Sequence, residues 1–438
     1  MENKDLIRLI SKDLIEEYGI VSAEIRDNVP LIITKRKITN QLKKALIDIF
    51  GDDIEIKSID GNREEIPNRA FENILIESIL KKATDLHIEP KERNALIRLR
   101  LDGILYNSGE ISNELYKNIL THLKIRAKLN IAEKRLPQEG SFPFKFKGNS
   151  FDIRVSVIPT LFGEKVALRI LPLEQVLKTL EDLGMNSQSI SIMNNALKKR
   201  SGSIIVSGPT GSGKSSTLHV LANYVNKRDK NIVTIEDPIE IVDENLNQTQ
   251  VNEEIGLTYS TILKKILRQD PDVILLGEIR DGETARLACE ASLTGHLMFT
   301  TIHTKNCESI VLRLFEMKIE PYLIASSLNV LISQRLLRRL CNNCKVLKPV
   351  MGEIFGLEEA YFENGCPTCH YTGYSGRIGV FEVIQLSDET KNLIARFNSG
   401  EEIIKSIRRD CKKTLIENAV DLIKNGITSI SEVAKIIE

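Results

Sequence analysis

The residues with the clearest chemical signature form one octapeptide, Gly208-Pro-Thr-Gly-Ser-Gly-Lys-Ser215. It fits the P-loop pattern G-x-x-x-x-G-K-[ST], in which successive backbone N–H groups surround phosphates at a helix N-terminus. Lys214 would reach the β- and γ-phosphates of a nucleoside triphosphate, and Ser215 would coordinate Mg²⁺. We therefore predict a binding site for ATP and Mg²⁺. Its predicted residues are Gly208, Pro209, Thr210, Gly211, Ser212, Gly213, Lys214, Ser215 and Ser216.

The elements around the octapeptide are those that a P-loop requires. An apolar, β-prone stretch precedes it at 203–207, and a helix-compatible stretch follows. Further strands are predicted at 231–235, 272–277 and 297–302, and helical patterns separate them. This alternation is typical of a parallel sheet covered by helices. In such a sheet the strands end on the face where the P-loop lies, so side chains at those ends are expected to converge.

Three of these strand ends carry side chains suited to hydrolysis. Glu236 follows the first strand, Glu278 follows the second, and His296 and His303 bracket the third. Cleavage of a phosphoanhydride needs carboxylates that orient water and metal, together with groups that respond to the γ-phosphate. The alternative interpretation is that the acids cap helices and that the histidines are packed or solvated. Three such segments behind a P-loop favour the catalytic interpretation.

Four of the seven cysteines form two C-x-x-C pairs, Cys341/Cys344 and Cys366/Cys369, with 21 residues between the pairs. This spacing is close to that of structural zinc ribbons, in which four thiolates close a tetrahedron around Zn²⁺. A closed thiolate shell has no open position, so the predicted role is structural. The alternative is a set of free or redox-active thiols. The remaining three cysteines are most simply core or surface thiols.

The composition is that of an ordinary globular protein of 438 residues, 42% hydrophobic and 27% charged. Lys and Arg together number 60, as do Asp and Glu, so the formal net charge is zero. A dedicated nucleic-acid binder is usually basic, and we therefore expect no nucleic-acid partner. No run approaches 18 apolar residues, and the polar start of the chain lacks a secretory hydrophobic region. We expect a cytoplasmic protein, which can still dock on a membrane protein.

Taken together, these segments resemble the type II secretion and type IV pilus assembly ATPases, also called traffic or secretion ATPases. The resemblance extends from about Ile66 to Gln385 and continues more weakly to the C-terminus. It rests on the P-loop, the two acidic strand ends and the histidine strand in this order. The further matching segments are 83–90, 131–140, 334–336 and 373–377.

The resemblance implies a homohexameric motor at the inner face of the cell membrane, where ATP hydrolysis drives the assembly of pilin-like subunits. Its partner would be an inner-membrane platform protein, and the N-terminal unit would be a possible docking site for another partner. The family's assembly ATPases carry a tetracysteine site, whereas its retraction motors characteristically do not. The four cysteines of this chain are therefore expected to mark an assembly motor.

The resemblance also implies roles for individual residues. Glu236 would polarise the attacking water and Glu278 would organise Mg²⁺, although either carboxylate could occupy the position that faces the water. His296 and His303 would sense the γ-phosphate or couple neighbouring subunits. Arg154 and Arg169 match positions where the family places arginines against the γ-phosphate. The alternative interpretation is that these arginines are solvated strand residues.

The expected fold class is α/β, with a RecA-like P-loop ATPase domain at its centre. A small N-terminal docking unit of α/β type is predicted at 1–62, and a PAS-like α+β domain at 66–175. The RecA-like domain would span 180–438, including a zinc-binding subdomain at 338–376 and C-terminal helices at 386–438.

Several functional alternatives remain at this point. A pilus retraction motor or a type IV secretion ATPase would share the core motifs without the cysteine cluster. A zinc-bearing helicase is disfavoured by zero net charge and an aromatic content of 5%. A nucleotide-gated scaffold that binds ATP without appreciable turnover is disfavoured by the presence of both glutamates. The choice between pilus assembly and protein secretion stays open.

Overall fold

A computed structural model describes residues 10–26, 29–34, 38–52, 54–58, 65–172, 179–225, 229–350, 352, 354–397 and 399–437. The chain forms two compact units, Met1–Leu171 and Pro172–Glu438. The predicted domain boundaries near 62 and 175 fall on or beside residues outside the described ranges, and the three-domain division stays a prediction. Among the described helices, none combines the length and the apolar character needed to cross a bilayer.

The first unit begins with a small sheet of three strands that packs against two helices. Strand β1 is antiparallel to β2, and β2 is parallel to β3. Ile32, Leu42 and Leu46 are fully buried in its core. The elements are α1 Lys12–Tyr18, β1 Ile20–Arg26, β2 Val29–Thr34, α2 Asn40–Phe50 and β3 Glu55–Ser58.

The larger part of the first unit is a six-stranded sheet in the order β6-β5-β4-β9-β8-β7. Alternate residues of its strands pack with two helices in one core, because successive side chains of a strand point to opposite faces. The other face is charged, and there Glu89 pairs with Arg98 and Lys165. The elements are α3 Glu65–Leu80, β4 Asp85–Pro90, β5 Asn94–Leu101, β6 Ile104–Ser112, α4 Asn113–Arg126, β7 Gln138–Phe146, β8 Asn149–Thr160 and β9 Gly163–Pro172.

The second unit is built on a seven-stranded sheet in the order β12-β11-β13-β14-β10-β15-β18. All neighbouring strands are parallel except β15 and β18, which pair antiparallel at one edge. Buried side chains on its two faces form separate cores, one with α6 and α7 and the other with α8 to α11. The elements up to the last parallel strand are α5 Leu180–Leu183, α6 Ser187–Leu197, β10 Gly202–Ser207, α7 Lys214–Tyr224, β11 Ile232–Glu236, β12 Asn247–Gln250, α8 Tyr259–Ile266, β13 Val273–Leu276, α9 Gly282–Leu293, β14 Leu297–Ile302, α10 Cys307–Glu316, α11 Pro321–Ser327 and β15 Leu328–Leu340.

The cysteine pairs lie in the segment that connects β15 to β18, the edge strand that pairs antiparallel with it. A two-stranded sheet of β16 and β17 belongs to the same segment. The fold class predicted from the sequence is confirmed, although the likeness of the first unit to PAS domains stays a prediction. The remaining elements are β16 Val346–Pro349, β17 Glu359–Phe362, β18 Tyr374–Gln385, α12 Asp388–Arg396, α13 Gly400–Asp410, α14 Leu415–Lys424 and α15 Ile430–Ala434.

Candidate nucleotide site and metal centre

The P-loop connects β10 to α7 in the middle of the sheet. Gly213 has a φ of 87°, a conformation that favours glycine, directly before the helix begins at Lys214. The Lys214 Nζ donates hydrogen bonds to the carbonyl oxygens of Gly208 at 2.9 Å and Pro209 at 3.1 Å. Burial lowers the pKa of this lysine. An ammonium group is thus held inside the loop by neutral acceptors, which suits it to receive an anion.

A cavity of about 370 Å³ opens beside the loop at the carboxyl ends of the strands. Two-thirds of the predicted binding residues line it, whereas Gly208, Pro209 and Ser212 do not. Its lining also contains both candidate glutamates and His303. The P-loop residues at the cavity are Thr210, Gly211, Gly213, Lys214, Ser215 and Ser216.

Glu236 lies at the end of β11 with its side chain only 7% exposed. Its Oε1 accepts hydrogen bonds from Thr234 Oγ1 at 2.7 Å and Gln248 Nε2 at 3.0 Å, and its Oε2 lies 3.0 Å from His219 Nε2. Burial by itself raises the pKa of Glu236, but the hydrogen bond and charge of His219 and the two other donors lower it below its ordinary value. The carboxylate is therefore stabilised in its ionised form.

Glu278 follows β13 and lies between two basic partners. His303 Nε2 lies 2.9 Å from its Oε2, and Arg280 pairs with its Oε1. Burial raises the pKa of Glu278, yet the hydrogen bonds and charges of Arg280 and His303 lower it overall. Both glutamates are thus ionised near neutral pH, and both line the cavity. The roles of base and Mg²⁺ organiser stay predictions for these two residues.

His296 lies at the amino-terminal end of β14, whereas the P-loop follows the carboxyl end of the parallel strand β10. The ring Nδ1 of His296 is 3.0 Å from the carbonyl oxygen of Ala291. Because β14 and β10 are parallel and six residues long, about 20 Å of strand separates His296 from the loop. This position does not support the predicted sensing of the γ-phosphate by His296. Its predicted coupling to a neighbouring subunit stays a prediction.

The two candidate arginines belong to the first unit, on the charged face of its sheet. Arg154 in β8 pairs with Asp152 at 3.4 Å, and Arg169 in β9 pairs with Asp85 at 3.4 Å. Asp85 also pairs with Arg100 at 3.3 Å. Each arginine is thus anchored by a carboxylate of its own sheet. Contact of Arg154 and Arg169 with a γ-phosphate stays a prediction.

The cavity lining also includes residues to which sequence reasoning assigned no role, among them His219, Tyr259 and Arg377. His219 follows Lys214 by five residues, so its position within the helix after the P-loop was available as a signal. Tyr259 begins α8, and Arg280 packs over its ring at 5.6 Å. Arg377 comes from the antiparallel edge strand β18, which the parallel pattern of the sequence did not predict.

The four paired cysteines come together in one cluster. Their sulfur atoms all lie within 4.8 Å of one another. Individual separations are 3.9 Å for Cys341–Cys366, 3.8 Å for Cys344–Cys369 and 3.7 Å for Cys366–Cys369. A tetrahedron of sulfurs around zinc at about 2.3 Å has edges of about 3.8 Å, whereas a disulfide bond measures about 2.05 Å. The cluster therefore has the dimensions of a tetrathiolate metal site.

The sequence matches known proteins over most of its length. The family model for Type II/IV secretion system protein matches residues 62–435. The chain is 38% identical over 426 residues to the type II secretion system protein E of Pectobacterium carotovorum subsp. carotovorum, covering 93% of this chain and 84% of that one. It is 38% identical over 411 residues to the type IV pilus assembly ATPase PilB of Myxococcus xanthus, covering 89% and 72%.

A solved structure extends the comparison to the fold. The X-ray structure of the ATPase DotB of Legionella pneumophila matches with a TM-score of 0.65 at 19% identity. The match covers 84% of this chain and 95% of that one. At this level of identity, the likeness shows a common fold.

Proposed function

Because the chain belongs to the Type II/IV secretion system protein family, we propose that it is a motor ATPase that powers the assembly of type IV pilins or pseudopilins. The observation that carries the proposal is the cavity in which a buried P-loop lysine and two ionised glutamates meet. A site that only bound nucleotide would need the lysine but not the carboxylates. Their presence favours hydrolysis over a nucleotide-gated scaffold.

The residues present fit ATP and Mg²⁺. Ser212 Oγ is buried without a hydrogen-bond partner in the described part of the chain, and a Cβ at Gly208 would lie 2.5 Å from the Gln334 carbonyl oxygen. The loop is thus a backbone cradle that side chains do not fill. When bound, Mg²⁺ neutralises charge on the phosphates. Ser215 and Glu278 would hold it, and Lys214 would bind the β- and γ-phosphates.

Glu236 is the preferred general base. One water proton passes to its carboxylate while the water oxygen bonds to the γ-phosphorus. The bond from that phosphorus to the bridging oxygen breaks, and its electron pair leaves with ADP. Arg154 and Arg169 would stabilise the charge that grows on the γ-phosphate, after exchanging their carboxylate partners for phosphate oxygens.

The cysteine cluster fits structural zinc, because its sulfur separations match the edges of a Zn–S₄ tetrahedron. It connects β15 to β18 and would thereby hold the edge of the ATPase sheet. A tetracysteine site also supports an assembly motor over a retraction motor. We propose further that the motor is a cytoplasmic homohexamer bound to an inner-membrane platform protein, with a docking partner for the N-terminal unit.

The test is Mg²⁺-dependent phosphate release by the full-length protein, with oligomer mass measured by light scattering in the same samples. Lys214→Ala should abolish turnover, since it removes the charge that binds the phosphates, and Glu236→Gln should retain ATP binding while losing hydrolysis. Glu254→Gln, an exposed carboxylate outside the cavity lining, is the matched control and should leave turnover unchanged. Unchanged turnover in Lys214→Ala would contradict the ATPase proposal. Loss of hydrolysis with retained binding in Glu278→Gln alone would reverse the assignment of the base.

A further inference from the structure

The buried pair of His219 and Glu236 is not explained by nucleotide binding. His219 lies in α7, is 3% exposed and has its Nε2 3.0 Å from the Glu236 Oε2. Both residues belong to the cavity lining. Lys214, on the same helix, has the phosphate-binding role, and His219 contacts the carboxylate instead.

The hydrogen bonds of Glu236 differ between its two oxygen atoms. Oε1 accepts from Thr234 Oγ1 and from Gln248 Nε2, so both of its lone pairs are engaged. Oε2 has one partner in the described part of the chain, the His219 ring. One lone pair of Oε2 is therefore available for a water proton. The orientation of that lone pair depends on the imidazole, because this ring is the group that holds Oε2.

The direction of the hydrogen bond between His219 and Glu236 follows from the chemistry of the carboxylate. An ionised carboxylate only accepts hydrogen bonds, so the Nε2 of His219 carries the hydrogen in this pair. The other ring nitrogen, Nδ1, is buried without a partner in the described residues. Nε2 is therefore the donor through which the His219 ring holds Glu236.

A donor at this position also counters the effect of burial on Glu236. A carboxylate removed from water is driven toward its neutral form, which cannot accept a proton from the attacking water. Thr234 and Gln248 stabilise the charge at Oε1, and among the described residues His219 does so at Oε2. Removal of the imidazole would leave the reactive oxygen buried without a donor among the described residues, and the carboxylate would be held through Oε1 alone. The pair thus couples the ionisation of Glu236 to its orientation.

We propose that His219 is a positioning residue of hydrolysis, which holds the Oε2 of Glu236 ready to take the proton of the attacking water. The proposal rests on the proposed function, because it needs Glu236 as the base. His219 keeps its own proton throughout, and the water proton ends on Glu236. The imidazole does not touch ATP, so its loss is expected to lower kcat with little effect on nucleotide affinity.

Three substitutions separate this role from simple packing. His219→Gln carries an amide nitrogen at the reach of Nε2 and retains the donor, whereas His219→Asn places its amide nitrogen at the shorter reach of Nδ1. His219→Leu fills similar space without a donor. We expect kcat to fall on the order of tenfold or more in the Leu and Asn variants, as for a misplaced general base. The Gln variant should stay within about threefold of wild type, because its amide replaces the lost hydrogen bond.

The experiment measures kcat, KM and the affinity for a fluorescent ATP analogue in the full-length protein. The same substitutions are repeated in the Glu236→Gln background, where His219→Leu should cause no further loss of the residual rate. Equal kcat in wild type and His219→Leu would overturn the proposal, as would a Gln variant as slow as the Leu variant. Wild-type turnover in Glu236→Gln would also overturn it. Absence of turnover in the wild-type hexamer would overturn the proposed function itself, and the two failures are therefore distinguishable.

If His219→Leu does not fold, the polar Gln and Asn variants decide the question. Both retain an amide and differ by one methylene group, so only the reach of the donor changes between them. A higher kcat for Gln at equal melting temperatures supports the positioning role. Equal kcat values for Gln and Asn overturn it.

Discussion

Lys124 and Glu164 form a buried ion pair inside the first unit, and the loss of one partner should be costly. Lys124 in α4 is 2% exposed at its side chain and Glu164 in β9 is 7% exposed, with Nζ and Oε1 2.6 Å apart. The same Nζ donates to the Glu133 carbonyl oxygen at 2.7 Å and so anchors the loop after α4. Lys124→Met leaves a carboxylate buried without its cation. Removing one partner of such a pair typically costs about 3–5 kcal/mol of the free energy of unfolding.

This magnitude gives a measurable thermal shift. For a unit of this size, each kcal/mol corresponds to about 2–4 °C, so the melting temperature of the first unit should fall by about 10 °C. Calorimetry of the full-length protein measures that shift. Hydrogen exchange at the amides of α4 and β9 should accelerate by about a hundredfold or more, since 3 kcal/mol is about two decades in an opening equilibrium. The second unit should keep its exchange pattern.

Two further variants test the reasoning. Lys117→Met alters an exposed lysine of the same helix and should change stability by no more than about 0.5 kcal/mol. Lys124→Met combined with Glu164→Leu should recover roughly half of the loss or more, because no unpaired charge remains buried. If Lys124→Met lowers the free energy of unfolding by less than about 1 kcal/mol, the argument that the pair is shielded from solvent is refuted.

Three other outcomes can be checked. Burial raises the pKa of Glu89, but hydrogen bonds from Arg98 and Lys165 lower it overall from 4.5 to about 2. The stability that the ionised Glu89 gives to the folded protein is therefore present above pH 4.5 and is lost as the pH falls toward 2. The difference in urea midpoint between wild type and Glu89→Gln should shrink over that window; a constant difference would contradict this. Gly208→Ala should weaken ATP binding more than Gly211→Ala, since an added Cβ meets backbone at the first position and open space at the second; equal losses would argue against the cradle. Cys344→Ser should lose bound zinc by elemental analysis while Cys411→Ser keeps it, and stoichiometric zinc in both would exclude the tetrathiolate site.

The sequence was most informative where a function is encoded by contiguous residues. The P-loop could be located because its glycines, lysine and serine have a fixed spacing and follow an apolar strand. The strand expected at 297–302 is present with the same bounds. The cysteine cluster could be predicted because each C-x-x-C pair is local, and only the approach of the two pairs needed tertiary structure.

Other features depend on contacts between distant residues, which a single sequence does not reveal. His219 and Glu236 meet because the side chain of His219 in α7 reaches the end of β11, although the two residues lie 17 positions apart in the sequence. His296 and His303 looked equivalent as residues at the ends of one strand. A parallel strand has one end at the P-loop and one at the opposite edge, so only His303 reaches the cavity. The long antiparallel edge strand was hidden because its apolar pattern resembles that of a parallel strand.

The charges around the cavity explain why acidic residues can lie beside a triphosphate site. Glu236 and Glu278 would repel the phosphates, and each has hydrogen-bond partners that offset this repulsion, His219 for the first and Arg280 with His303 for the second. Lys214 differs, because its described hydrogen bonds are to carbonyl oxygens and it has no ion pair within the described residues. A buried cation whose described hydrogen bonds go only to carbonyl dipoles gains from the approach of an anion. This arrangement supports the proposed binding of phosphate at the loop, and it leaves the two carboxylates for their proposed roles toward water and Mg²⁺.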